Sequence, residues 1–105
     1  MAKKSGVRVT SSTGNVFRDL GFSKEESEHL LVRADLLIQL QKAIESRRLK
    51  QAEAAKILRV TQPRVRDLLR GRIDLFSTDS LIDMLARLGV GVRLVVKTPR
   101  SKKVA

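Results

Sequence analysis

The chain has 105 residues, which is the length of one domain with a modest hydrophobic core. It contains no cysteine and one histidine, so disulfide bonds, thiolate metal sites and zinc clusters built from several His and Cys ligands are excluded. The 22 Lys and Arg residues against 11 Asp and Glu residues give a net charge of +11. This excess favours a polyanionic partner, with nucleic acid as the first expectation.

The N-terminal residues 1–13 are basic, polar and small, without a helical period, and they predict a disordered basic arm, with contact to DNA as the alternative to a solvated tail. Lys3 and Lys4 precede no apolar stretch, so a secretory signal is not predicted. No apolar run in the sequence approaches the roughly 20 residues that span a bilayer. We therefore expect a cytoplasmic protein without a membrane partner. The apolar residues that follow the arm predict a short helix near 16–20 that docks on the core.

Four further helices are predicted. A capping box of Ser23 and Glu26 starts a long helix over 24–47. Its apolar residues form a stripe that is wider than one face of the helix. We therefore expect leucines such as Leu36 and Leu40 to need cover from the N-terminal segment or a second subunit. Three shorter helices follow at 51–58, 62–70 and 78–88.

Residues 90–97 change to an alternating pattern, which predicts a C-terminal strand. A lone strand leaves an edge of backbone donors and acceptors unpaired, and such edges invite pairing. We therefore expect the strand to hold a homodimer together through its apolar face, which consists of Val90, Val92, Leu94 and Val96. The alternative is pairing within one chain with the N-terminal arm, where residues 7–9 also alternate, which would leave a monomer that dimerises only on DNA. Residues 98–105 form a basic tail.

The stretch 51–70 has the spacing of two helices that cross closely, as in a helix-turn-helix motif. Close crossing requires a small residue in the middle of the first helix, and Ala55 lies there. Apolar residues must fill the turn and face the first helix from the second. Val60, Val65 and Leu68 hold those positions.

The turn of this motif and its second helix carry three local signals. Arg59 lies where the turn favours a positive φ, which costs an arginine on the order of 1 kcal/mol. Thr61 can cap the second helix through its hydroxyl. Pro63 falls in the first turn of that helix, where a missing backbone N–H costs nothing.

Basic residues concentrate around the motif. Between positions 47 and 72 the sequence has nine Lys or Arg residues and two acids, whereas 19–35 carries five acids. The molecule is therefore predicted to have a basic end and a more acidic end. With three Phe and no Trp or Tyr, it lacks the aromatic platforms on which single-stranded bases stack, so duplex DNA is favoured over RNA.

The motif QAEAAKILRVTQPRVRDLLRG (51–71) resembles the helix-turn-helix of lambda-repressor-like regulators, the XRE class. The segments GNVFRDLG (14–21) and LLRGRIDLFSTDSLIDMLARLG (68–89) extend the likeness to the HigA-type antitoxin branch, over residues 14–97. The resemblance implies a mainly all-α, lambda-repressor-like domain of about five helices with one C-terminal β-strand. It also implies an autorepressing antitoxin with a small RelE/HigB-like toxin as partner. Lys50 departs from the family, which usually has Thr at this N-cap.

Position in the motif assigns the DNA contacts. The N-terminal part of the second motif helix enters the major groove, and its candidates for base contacts are Gln62, Pro63, Arg66 and Asp67. Asp67 has an equally weighted alternative role, which is to hold Arg64 or Arg70 by a local ion pair. The resemblance makes Gln51 a phosphate contact. The expected phosphate contacts around it are Lys50, Thr61, Arg64, Arg70 and Arg72.

One such helix reads only a few base pairs, so we expect a two-fold dimer on an inverted-repeat operator. A stand-alone XRE-type repressor without a toxin and an RNA- or ribosome-binding basic protein remain as alternatives. An enzyme is not expected, because the sequence offers no Gly-rich phosphate loop, nucleophile–base pair or metal constellation. No cofactor is expected.

Overall fold

The computed structural model describes residues 6–9 and 19–96. Its elements are strand β1 (Gly6–Val9), helices α1 (Lys24–Ser46), α2 (Gln51–Leu58) and α3 (Gln62–Leu69), a 3-10 turn (Ile73–Leu75), helix α4 (Thr78–Arg87) and strand β2 (Gly91–Leu94). The predicted mainly helical fold is confirmed, and these four helices end within a residue of their predicted bounds. Residues 16–18 of the predicted short helix lie outside the described residues.

Two helices begin at reciprocal caps. The Ser23 Oγ accepts from the Glu26 N–H at 3.1 Å, while the Glu26 carboxylate accepts from the Ser23 N–H at 3.0 Å. The hydrogen bond from the Ser23 backbone N–H, and after it the interaction with the Ser23 hydroxyl, hold the pKa of the Glu26 carboxyl below its ordinary value. Ser77 and Ser80 form the equivalent pair before α4, each N–H donating to the other hydroxyl at 3.1 Å. Two of the four backbone donors left free at each helix start are thereby satisfied.

The core is helical and is built around α1. Leu36 and Leu40 of α1 are fully buried in one cluster with Leu81 and Leu85 of α4. Helix α4 supplies most of the cover for the wide apolar surface of α1, and the N-terminal strand β1 contacts α1 as well, so the expected cover comes from within the chain and only partly from the N-terminal segment. The helix-turn-helix pair enters the same cluster through Leu58 and other residues of α2 and α3.

A two-stranded sheet lies beside the helices. β1 pairs in parallel with β2, with Gly6 opposite Gly91 and Val9 opposite Leu94. The expectation of a disordered arm over residues 1–13 is therefore wrong for Gly6–Val9, and the fold has a second strand besides the C-terminal one. The alternating residues of the arm supply the hydrogen-bond partners that the edge of β2 requires. Pairing within the chain, given above as the alternative, is the arrangement that the structure shows.

Strand β2 is shorter than the predicted 90–97. The Val90 N–H donates to the Leu85 carbonyl at 2.9 Å, so it closes the end of α4 and is not available to the strand ladder. Val90 and Val92 pack partly against the helical core. Leu94 and Val96 are 55% and 84% exposed. The four apolar residues thus divide into a half-buried pair and an exposed pair.

Candidate nucleic-acid interface

Helices α2 and α3 cross as the helix-turn-helix spacing predicts. Ala55 is 8% exposed at the crossing, and Val65 and Leu68 of α3 are 1% exposed on the facing side. Val60 packs against the same cluster from the turn between the helices. The apolar positions predicted for the motif are therefore confirmed.

The turn between the two helices contains a left-handed residue. Arg59 has φ 60° and ψ 43°, which confirms the positive φ predicted for it. The turn lets the Val60 N–H donate to the Ala55 carbonyl at 3.0 Å, so a carbonyl at the end of α2 is satisfied. The left-handed conformation costs an arginine about 1–2 kcal/mol.

The start of α3 is fixed by its own cap. The Thr61 Oγ1 accepts from the Arg64 N–H at 3.3 Å, and Pro63 lies in the first turn, where its missing N–H leaves no bond unmade. Because Val65 and Leu68 face inward, the opposite side of the helix is open to solvent. Gln62, Pro63, Arg66 and Arg70 are exposed there, and Asp67 is half-buried.

Gln62, Arg66 and Arg70 follow each other at intervals of four residues, so they form one ridge along α3. We call these three residues the α3 ridge. Asp67 forms no ion pair with Arg64 or Arg70. Within residues 19–96, the ion pair that the structure contains joins Arg72 to Asp74, at 3.9 Å. Asp67 therefore stays available to a partner outside the chain.

Arg64 has an internal role that the sequence did not predict. Its guanidinium donates to the Leu75 carbonyl at 2.9 Å and lies 4.3 Å from the ring centroid of Phe76. Phe76 is buried in the core, so this side chain fastens α3 to the segment after it. A guanidinium has five N–H groups, and the remaining donors keep the predicted phosphate contact open.

We expect Arg64→Lys to weaken DNA binding more than a phosphate contact alone requires. Lysine keeps the charge but cannot stack a planar group on Phe76 while it donates to Leu75. Duplex affinity measured at one salt concentration should fall several-fold, whereas the slope of affinity against salt should stay the same. Arg70→Lys is the matched control, since Arg70 makes no such anchor. Equal behaviour of the two variants would contradict the anchoring role.

The start of α2 presents Lys50 and Gln51 to solvent. The Lys50 side chain has no acceptor for capping, and the Glu53 carboxylate compensates by accepting the Lys50 N–H at 2.8 Å. The helix therefore begins at Gln51 although the usual Thr cap is absent. Lys50 and Gln51 remain free to contact a phosphate.

Two bonds that sequence reasoning missed hold the ends of the motif helices. The Gln41 Nε2 donates to the Leu68 carbonyl at 2.8 Å, and an Arg87 guanidinium nitrogen donates to the Leu58 carbonyl at 2.9 Å. They fasten the end of α3 to α1 and the end of α2 to α4. Gln41 interrupts the apolar stripe of α1, and a polar residue at such a position is the available signal for a bond of this kind.

The basic residues around α3 have almost no acidic partners within the described ranges. The Arg72–Asp74 ion pair is solvent-exposed, and Lys50, Arg66 and Arg70 have no acidic partner there. Residues 6–9 and 19–96 hold no group of three or more His, Cys, Asp or Glu residues that could bind a metal ion. Among the helices described, none has the length and apolar character to cross a membrane.

Comparison with known proteins agrees with this geometry. Residues 16–97 match the family model of the helix-turn-helix domain, and the chain belongs to that family. No curated protein matches the chain significantly. Among solved structures, it is similar to a protein whose name assigns it provisionally to the XRE family of transcriptional regulators, at 29% identity and a TM-score of 0.67. That similarity covers 76% of this chain and 90% of the other.

The fold and the family together define the class. The protein is a DNA-binding transcriptional regulator with an XRE-like helix-turn-helix. The exposed polar side of α3 and the uncompensated basic residues around it agree with that class.

Proposed function

We propose that this regulator is a sequence-specific repressor that places α3 in the major groove of duplex DNA. The observation that carries the proposal is the α3 ridge, an exposed polar row on a helix fastened at both ends by Arg64 and Gln41. A helix held in this way presents its side chains in a fixed direction, which reduces the entropy lost on binding.

The chemistry of the exposed side of α3 suits base edges. The Gln62 amide can pair with adenine through two hydrogen bonds, and the Arg66 guanidinium can do so with guanine. Pro63 has no donor and would contact a thymine methyl group, while the Asp67 carboxylate would accept from a cytosine amino group. In this proposal the phosphate contacts surround the reading helix and comprise Lys50, Gln51, Thr61, Arg64, Arg70 and Arg72.

The working species in this proposal is a homodimer on an inverted repeat. One α3 reads a few base pairs, and two copies related by a two-fold axis double the site at a spacing of roughly 34 Å. We assign the contact between protomers to the apolar face of Val90, Val92, Leu94 and Val96. Leu94 and Val96 carry this assignment, because they are the two whose side chains are largely exposed.

Leu94→Arg should convert the free protein from dimer to monomer at micromolar concentration, because a charge on the apolar contact would be buried without a partner. Sedimentation of the two proteins measures this change directly. Arg93→Ala is the control on the neighbouring exposed position of β2. A monomeric parent protein, or an unchanged mass after Leu94→Arg, would contradict the strand contact.

We further propose that the repressor is an autorepressing antitoxin that acts in the cytoplasm and has no catalytic activity of its own. The support is the likeness of the segments 14–21 and 68–89 to HigA-type antitoxins. A small RelE/HigB-like toxin encoded by the neighbouring reading frame, and its co-purification with this chain, would agree with the proposal. Repression of its own promoter without any such neighbour would instead identify a stand-alone repressor.

A further inference from the structure

Helices α1 to α4 all end with the same hydrogen bond, but glycine is present at only two of these ends. The donors are the backbone N–H groups of Leu49, Val60, Arg72 and Val90, and each donates to the carbonyl of the residue five positions earlier. The residue before each donor is left-handed. This residue is Arg48 after α1, Arg59 after α2, Gly71 after α3 and Gly89 after α4. Glycine adopts this conformation without strain, whereas arginine does not.

The two strained arginines flank α2, and no described residue makes use of their side chains. Arg48 and Arg59 are exposed, and neither guanidinium forms a hydrogen bond or ion pair within residues 19–96. Residues 47–59 contain five Lys or Arg and one acid, Glu53, whose carboxylate already accepts the Lys50 N–H. Like charges at this density repel one another in the free protein.

A favourable interaction with the helix dipole does not account for these positions. A cation near a helix C-terminus is stabilising. A basic residue in the last turn of the helix would give the same stabilisation without the strain of a left-handed conformation. The last turn of α1 carries no basic residue, so that place is unused, and the last turn of α2 already contains Lys56. Residues held in strained conformations persist where a function requires them.

We propose that Arg48 and Arg59 are two additional phosphate contacts, one at each end of α2. The inference rests on the DNA-binding function proposed above. Arg48 lies three residues before Gln51, and Arg59 lies two residues before Thr61, so each is close in the chain to a predicted phosphate contact. Electrostatic attraction to the DNA backbone then offsets a conformation that weakens the free protein.

The variants Arg48→Gly and Arg59→Gly separate fold from function, because glycine relieves the strain while it removes the charge. We expect the thermal midpoint of each to equal or exceed that of the parent protein. Affinity for the best operator and for random duplex DNA should fall by a similar factor, about 8-fold at 0.1 M salt for each phosphate that is no longer neutralised. The slope of log K against log salt should become shallower by about 1.8 for each variant, because the dimer loses two arginines at about 0.9 each.

Two controls complete the test. Arg48→Lys and Arg59→Lys keep the charge and should bind nearly as the parent does, and Lys24→Ala removes one charge from the acidic end and should leave the salt slope unchanged. Glycine variants that are more stable but bind with parental affinity and slope would overturn the inference and would assign the arginines to helix-end stability alone. A parent protein that binds no duplex DNA would instead contradict the proposed function itself.

Discussion

Replacing Gln62 and Arg66 by alanine should remove most of the preference for operator over random duplex DNA. Each side chain is assigned a bidentate contact with a base, and such a contact contributes about 1–3 kcal/mol of discrimination, which is about 5- to 150-fold in affinity ratio. The double variant should therefore bind both DNAs at nearly the level that the parent shows for random DNA. Titration of the two duplexes at one fixed salt concentration measures the ratio.

Two further variants identify the cause of that loss. Arg66→Lys keeps the positive charge but cannot make the planar, two-bonded contact with guanine, so discrimination should fall while binding to random DNA is retained. Lys50→Ala should weaken binding to both duplexes equally, because a phosphate contact carries no sequence information. If discrimination survives Gln62→Ala and Arg66→Ala unchanged, α3 does not lie in the groove as proposed.

Raising the salt concentration should have the second large effect. A dimer that uses Lys50, Arg64, Arg70 and Arg72 in each half would neutralise on the order of six to eight phosphates, at a slope of about −0.9 for each in log K against log salt. Affinity should then fall by about 10³- to 10⁴-fold between 50 and 200 mM salt. Binding measured across this range gives the slope directly.

Two results would qualify this expectation. A slope close to zero would contradict the basic surface around α3, since the charge of +11 would then have no part in binding. If the parent shows a steep slope and Lys50→Ala does not change it, the electrostatic attraction is supported, but Lys50 is not one of the phosphate contacts. Lys24→Ala, at the acidic end, provides the reference for loss of one charge elsewhere.

Features that depend on near neighbours in the chain could be predicted from the sequence. The capping box of Ser23 and Glu26, the cap at Thr61 and the left-handed turn at Arg59 each follow from residues three or four positions apart. The apolar positions of the motif were predictable for the same reason, because helical spacing fixes which side chains face inward.

Features that depend on distant parts of the chain were not predictable. The pairing of β1 with β2 joins residues more than 80 positions apart, and the alternation of residues 7–9 indicated it only as the alternative to a contact between protomers. The bond from Arg64 to Leu75 and the cover of Leu36 by α4 likewise require the packed structure. A basic residue on a recognition helix has the same local pattern whether it contacts DNA, anchors the helix or does both.

Selection from a pool of random duplex DNA tests directly whether an exposed α3 reads bases as part of a two-fold dimer. The purified full-length protein is bound to the pool at near-physiological salt, and the retained sequences are determined over successive rounds. We predict enrichment of an inverted repeat whose half-sites are centred one helical turn, roughly 34 Å, apart. Retention of duplexes without any shared sequence, or tighter binding to RNA of the same length, would contradict sequence-specific reading of duplex DNA by α3.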